Sequence, residues 1–145
     1  MLKHPETVLP IFVYGTLMVG ERNYIDVLHD NLTHYENAKV KGTLYYYQKE
    51  DYPALTEGNH WIEGQIFYVN CLEEVLKPLD EIEGYLGENH PDNMYDRKIM
   101  TAVTGDGKQI PAYAYQINPR LFQKEHQEFT LMTENSWKKF NQLKG

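Results

Sequence analysis

The spacing of apolar residues changes along the chain, and each change marks an element. Residues 8 to 14 (VLPIFVY) form a short apolar run that stops at Gly15 and Thr16, which reads as a strand ending in a bend. In residues 22 to 30 (RNYIDVLHD), Tyr24, Ile25, Val27 and Leu28 recur at helical spacing. Residues 38 to 48 (AKVKGTLYYYQ) predict a strand, with Gly42 as a bulge or bend. YPALTEGNH, 52 to 60, reads as a loop, and WIEGQIFYVN, 61 to 70, alternates in the manner of a strand. CLEEVLKPLDEIEGY, 71 to 85, has the helical period. MYDRKIMTAVT and QIPAYAYQIN, 94 to 104 and 109 to 118, flank GDGK and predict a hairpin. TENSWKKFNQL, 133 to 143, predicts a final helix with Thr133 as N-cap and with Trp137 and Phe140 on one face.

Strands outnumber helices, and helices do not alternate with them, which argues against a doubly wound parallel sheet. The pattern fits an α+β protein, a small mixed β-barrel with flanking helices. At 145 residues the chain is expected to be one domain. Its 41% hydrophobic and 24% charged residues are ordinary for a soluble globular protein. No run of about 18 apolar residues predicts a membrane span. The first ten residues lack an apolar signal core, so a cytoplasmic location is expected. A net charge of −7 argues against nucleic acid as a partner, since binding it takes a positive surface.

The residue inventory removes most catalytic chemistries. The single serine, Ser136, falls inside the final helix, where no nucleophile turn is expected. The single cysteine, Cys71, precedes a helix whose dipole could lower its pKa; the reading as a small buried packing residue is preferred. The six histidines include no pair at i, i+4, and there is no CxxC, so no metal site is expected. Neither GxxxxGK nor GxGxxG occurs, and no cofactor is called for.

Carboxylates remain. On a helical wheel at about 100° per residue, Leu72, Val75, Leu76, Leu79 and Ile82 share a face, and Glu83 falls within about 20° of Leu72. Glu81 points away and Asp80 lies on the flank. A carboxylate aimed inward gains a raised pKa, which suits a general acid/base. The alternatives are a frayed helix end beside Gly84, where Glu83 reaches water, and a helix whose phase is shifted by Pro78. Gly15 is the second candidate. A glycine there lets the backbone bend, so that the N–H groups of residues 15 to 17 form a nest for an anion or a polarised carbonyl. The other reading is an ordinary glycine turn. Donors and an inward carboxylate together make a site for acyl chemistry without a protein nucleophile.

The ordered set FVYGTLMVGERN, YPAL, EGQIFYV, LDEIEGY and YDR, from about residue 11 to about 117, resembles the gamma-glutamylcyclotransferase-like proteins, including their AIG2-like branch. The resemblance implies a small β-barrel. It also implies a substrate-binding loop at Tyr14, Gly15, Thr16 and Leu17, and Glu83 as the catalytic acid/base. The implied reaction needs no metal or cofactor: the α-amine of a small γ-glutamyl substrate attacks its own γ-carbonyl and releases 5-oxoproline and an amine. The chain departs from the family's frequent YRR segment by placing Asp96 between Tyr95 and Arg97. A non-catalytic binding module with the same pocket is the alternative function. Nothing in these patterns sets an oligomeric state.

Overall fold

Six strands account for most of the regular structure in the computed structural model, which describes residues 9–15, 17–18, 28 and 31–144, with side chains up to residue 140. They are β1 (Ile11–Val13), β2 (Leu32–Tyr47), β3 (Tyr52–Val69), β4 (Tyr95–Thr104), β5 (Gln109–Ile117) and β6 (Phe129–Leu131). The sheet runs β3-β1-β5-β4-β2, and β2 pairs with β3 again, so five strands close a ring while β6 extends from β2. All pairings are antiparallel except β1 with β5, where Ile11 faces Tyr113. This is the small mixed barrel that the pattern predicted. The buried core includes Ile11, Val13, Val40, Leu55, Ile62 and Ile66, all essentially inaccessible to water.

Among the described residues three helices flank the ring: α1 (Leu72–Glu83), α2 (Pro119–Lys124) and α3 (Trp137–Lys144). The hairpin from 94 to 118 forms with its turn at GDGK, where Gly107 has φ of 88°. Gly42 does mark an irregularity in β2. The residues read as a loop, 52 to 60, instead lie in β3. Gly42 pairs with His60 and Thr43 with Thr56, so Glu57, Gly58 and Asn59 bulge out of a continuous ladder. Pro53 sits at the second position of β3, near the strand start where proline is tolerated.

The final helix begins at Trp137, and Thr133 does not cap it. Ser136 Oγ accepts from the Lys139 N–H at 3.4 Å, so the one serine is a helix cap. Trp137 and Phe140 stack with centroids 5.7 Å apart, as their shared face required. Asn118 caps α2 by accepting from the Arg120 N–H at 2.9 Å, with Pro119 in the first turn. The helical pattern at 22 to 30 lies outside the described residues apart from Leu28.

Candidate active site

Helix α1 carries its carboxylate into the protein. Val75, Leu79 and Glu83 are its buried residues, one stripe at i, i+4, i+8. Ile82, placed on the apolar face by the wheel, is 39% exposed, so the true face is rotated toward Glu83. The helix end is closed, not frayed. Gly84 adopts φ of 65°, and the Tyr85 N–H reaches the Asp80 carbonyl at 2.8 Å. The Met94 N–H then ties the Gly84 carbonyl to the approach of β4 at 2.9 Å. Pro78 sits inside the helix without ending it.

Glu83 is 3% exposed and accepts a hydrogen bond from the Tyr52 hydroxyl. With Tyr14, Gly15, Leu17, Tyr52, Pro53 and Tyr115 it lines a cavity of about 10 Å³, the room of a single water molecule. Burial pushes its carboxyl from the ordinary 4.5 up to about 8; the Tyr52 hydroxyl pulls the other way and the Asp80 charge adds to the rise. The group therefore holds a proton at neutral pH and can release it within reach of physiological conditions.

Tyrosines surround it. The Tyr14 hydroxyl donates to the Tyr115 carbonyl oxygen, and that of Tyr95 to the Pro53 carbonyl at 2.9 Å. Burial first, then neighbouring charge, raises the pKa of both. Both stay neutral donors. The Tyr52 and Tyr95 rings meet edge to face at 5.6 Å. Behind this wall, Asp80 accepts from Arg97 Nη1 at 2.8 and 2.6 Å and from the Tyr115 hydroxyl at 2.6 Å. The Arg97 guanidinium lies 5.0 Å from the Tyr85 ring centroid and 5.5 Å from that of Tyr113. A buried proton-holding carboxyl, ringed by neutral hydroxyls in a nearly dry cavity, can move one proton between two atoms of a bound molecule.

The sequence model of the gamma-glutamyl cyclotransferase, AIG2-like family matches residues 11–139. The chain belongs to that family. A Niallia circulans relative, gamma-L-glutamyl-butirosin B gamma-glutamyl cyclotransferase, is 36% identical over 108 residues, covering 74% of this chain and 66% of its own. A Vibrio cholerae relative is 36% identical over 127 residues, covering 88% and 93%. The crystal structure of a mouse AIG2-like protein shares the fold with a TM-score of 0.64, at 24% identity over 88% of this chain and 86% of that one. Membership supports gamma-glutamylcyclotransferase-type chemistry as the general class of activity.

For this family member the structure brings Tyr14, Gly15 and Leu17 to one cavity with Glu83, while Thr16 lies outside the described residues. Gly15 is needed for a closer reason than a nest. A Cβ there would stand 2.6 Å from Pro53 Cγ, so β3 packs directly against the glycine. The Met18 N–H donates to the Gly15 carbonyl at 3.1 Å and closes the turn. Sequence reasoning did not single out Tyr52, Pro53 or Tyr115 for the site. Tyr52 and Pro53 sat in a supposed loop, and the Tyr115 signal is only its alternation with Ala112 and Ala114 along β5. Cys71, expected to be buried, is exposed. A hydrogen bond with Glu74 raises its pKa, against the helix-dipole expectation. Asp96 does not line the cavity; Asn93 and Asn118 hold it at 2.9 and 3.2 Å. Among the described residues no cluster of three His, Cys, Asp or Glu side chains suits a metal ion, and no helix is long and apolar enough to cross a membrane.

Proposed function

We propose that this protein releases 5-oxoproline from a γ-glutamyl amine or γ-glutamyl amino acid, with Glu83 as general acid/base and the Tyr14–Leu17 stretch holding the substrate. The α-amine nitrogen bonds to the γ-carbonyl carbon, and the bond from that carbon to the leaving nitrogen breaks. Glu83 takes the proton from the attacking amine and gives it to the departing one, so no proton is gained or lost overall. The protein's main task is to hold the glutamyl chain folded in a near-attack shape. No metal or cofactor enters this scheme.

The observation that carries the reading is the burial of Glu83 beside Tyr52 in the cavity shared with Gly15 and Leu17. An ordinary carboxylate would hold a proton taken from an ammonium group poorly; a carboxyl raised to about 8 holds it well. The cavity of about 10 Å³ is smaller than a glutamyl group, so substrate entry requires its lining to open.

The test is a panel of γ-glutamyl compounds assayed for 5-oxoproline release across pH. The free protein at neutral pH carries the Glu83 proton, one too many when the substrate arrives as an ammonium. kcat/KM is therefore expected to rise about tenfold per pH unit up to about 8, then level. Binding without turnover of any compound would favour a non-catalytic module with this pocket.

A further inference from the structure

Helix α1 buries Val75 and Leu79 and packs Leu72 and Leu76, partly buried, against the core. Of these four only Leu79 follows Pro78, which lacks the N–H that would tie the second half of the helix to the Glu74 carbonyl. Past Pro78, polar contacts add to what fixes the segment that ends in Glu83. Asp80 follows Pro78 by two residues and precedes Glu83 by three. Its carboxylate is held from β4 by Arg97 Nη1 at 2.6 Å and from β5 by the Tyr115 hydroxyl at 2.6 Å. Arg97 is itself flanked by the rings of Tyr85 and Tyr113. The Tyr115 carbonyl receives the Tyr14 hydroxyl. One polar chain, Arg97–Asp80–Tyr115–Tyr14, thus joins the helix that carries the acid/base to the stretch that begins the substrate loop.

We propose that Asp80, clamped by Arg97 and Tyr115, is the positioning residue of the active site: it sets the rotation of α1 that places Glu83 in the cavity and registers it against Tyr14. This rests on the reading of Glu83 as acid/base. Asp80 also differs from an ordinary stabilising ion pair in sharing an electrostatic environment with Glu83. The groups that face Glu83 are Tyr14 just after β1, Tyr52 from β3, Tyr95 from β4, Tyr115 from β5 and Asp80 from its own helix. Of these, Asp80 is the one whose charge adds to the rise in the Glu83 pKa.

The experiment compares Asp80→Asn, Tyr115→Phe and their double variant with the unaltered protein. It measures kcat and KM for 5-oxoproline release against pH, and the titration of the Glu83 side-chain carboxyl by 13C NMR. Each single variant is expected to lose roughly 10- to 100-fold in kcat, the scale of a misplaced reacting group, with KM within about twofold. The Glu83 titration and the rise of the pH profile should both move to lower pH in Asp80→Asn, because a negative neighbour is gone and water reaches the carboxyl. The double variant should be no worse than the poorer single one, as expected for a shared clamp. A lowered Tm with kcat, pH profile and Glu83 titration all unchanged overturns the proposal. So does a wild-type Tyr115→Phe, which tests the clamp without removing a charge if Asp80→Asn fails to fold. An active Glu83→Gln would remove the acid/base reading instead; the NMR titration then still decides whether Asp80 positions Glu83.

Discussion

Two of the contacts between a tyrosine hydroxyl and a carboxylate in this barrel have opposite outcomes. Tyr52 donates to Glu83, and Tyr47 donates to Glu125. Glu125 is held below the ordinary carboxylate range, by the Tyr47 hydroxyl first and by Lys49, 3.0 Å away, second. Glu83 has a comparable donor but is pushed up to about 8. The difference is water. The Glu125 side chain is 21% exposed and has a cation beside it, whereas Glu83 is 3% exposed and the charge that acts on it is the Asp80 carboxylate. A hydrogen bond favours the ionised form in both cases; burial decides whether that preference prevails.

The largest expected effect separates the two carboxylates by function. Glu83→Gln should lose about 10² to 10⁴ in kcat with substrate affinity largely kept, because the amide cannot carry a proton. Glu125→Gln should leave turnover unchanged in the same assay, as should Glu81→Gln on the outward face. Equal losses in Glu83→Gln and Glu81→Gln would show that charge at the helix end matters more than one base.

The next effect is on stability, and its sign follows from the pKa. Unfolded, Glu83 has its ordinary value of 4.5; folded, about 8. Below 4.5 both states hold the proton, and stability is at its fullest for this group. As pH rises from 4.5 to about 8 the unfolded chain releases a proton that the native state retains, so stability falls, by up to about 1.4 kcal/mol per pH unit. Denaturant melts of Glu83→Gln and the unaltered protein should diverge over that window, with the variant the more stable at the alkaline end. Glu125, lowered instead of raised, should give the opposite slope in its own variant.

Burial of Glu83 depends on a tight wall, and Gly15 against Pro53 is part of it. Gly15→Val should therefore cost about 1–3 kcal/mol of stability by overpacking, in addition to blocking the stretch proposed to hold the substrate. A thermal melt identical to the unaltered protein would show that the contact is looser than 2.6 Å implies. The smallest effect concerns the donor. Tyr52→Phe removes the one influence that lowers the Glu83 pKa, so the rise of kcat/KM should move above about 8, leaving about tenfold less activity at neutral pH. Tyr47→Phe should raise the Glu125 pKa with no change in rate.

Much of this was legible in the sequence. Alternation and turn residues located β4, β5 and their hairpin, because local patterns decide a hairpin. The wheel pointed to Glu83 even though its centre was off, since Ile82 turned out exposed and the stripe runs through Val75 and Leu79. What escaped it was long-range. Tyr52 and Pro53, read within a loop, join the site only because the start of β3 packs on Gly15. Tyr115 joins the site only because β5 lies beside β1, about a hundred positions away in the chain. The α2 start was available in Asn118–Pro119, a cap followed by a proline.

The parallel pairing of β1 with β5 has a consequence for how the protein is made. The β2–β3 and β4–β5 hairpins pair neighbours and can form early, but ring closure must bring Ile11 to Tyr113. Contacts so distant in the chain are slow to form. Until β5 emerges from the ribosome and docks, the Tyr14 hydroxyl lacks the Tyr115 carbonyl, and Tyr115 is absent from the wall around Glu83. A carboxyl still open to water titrates as an ordinary glutamate. The raised pKa on which the proposed acid/base role of Glu83 rests thus depends on the pairing of β5 beside β1.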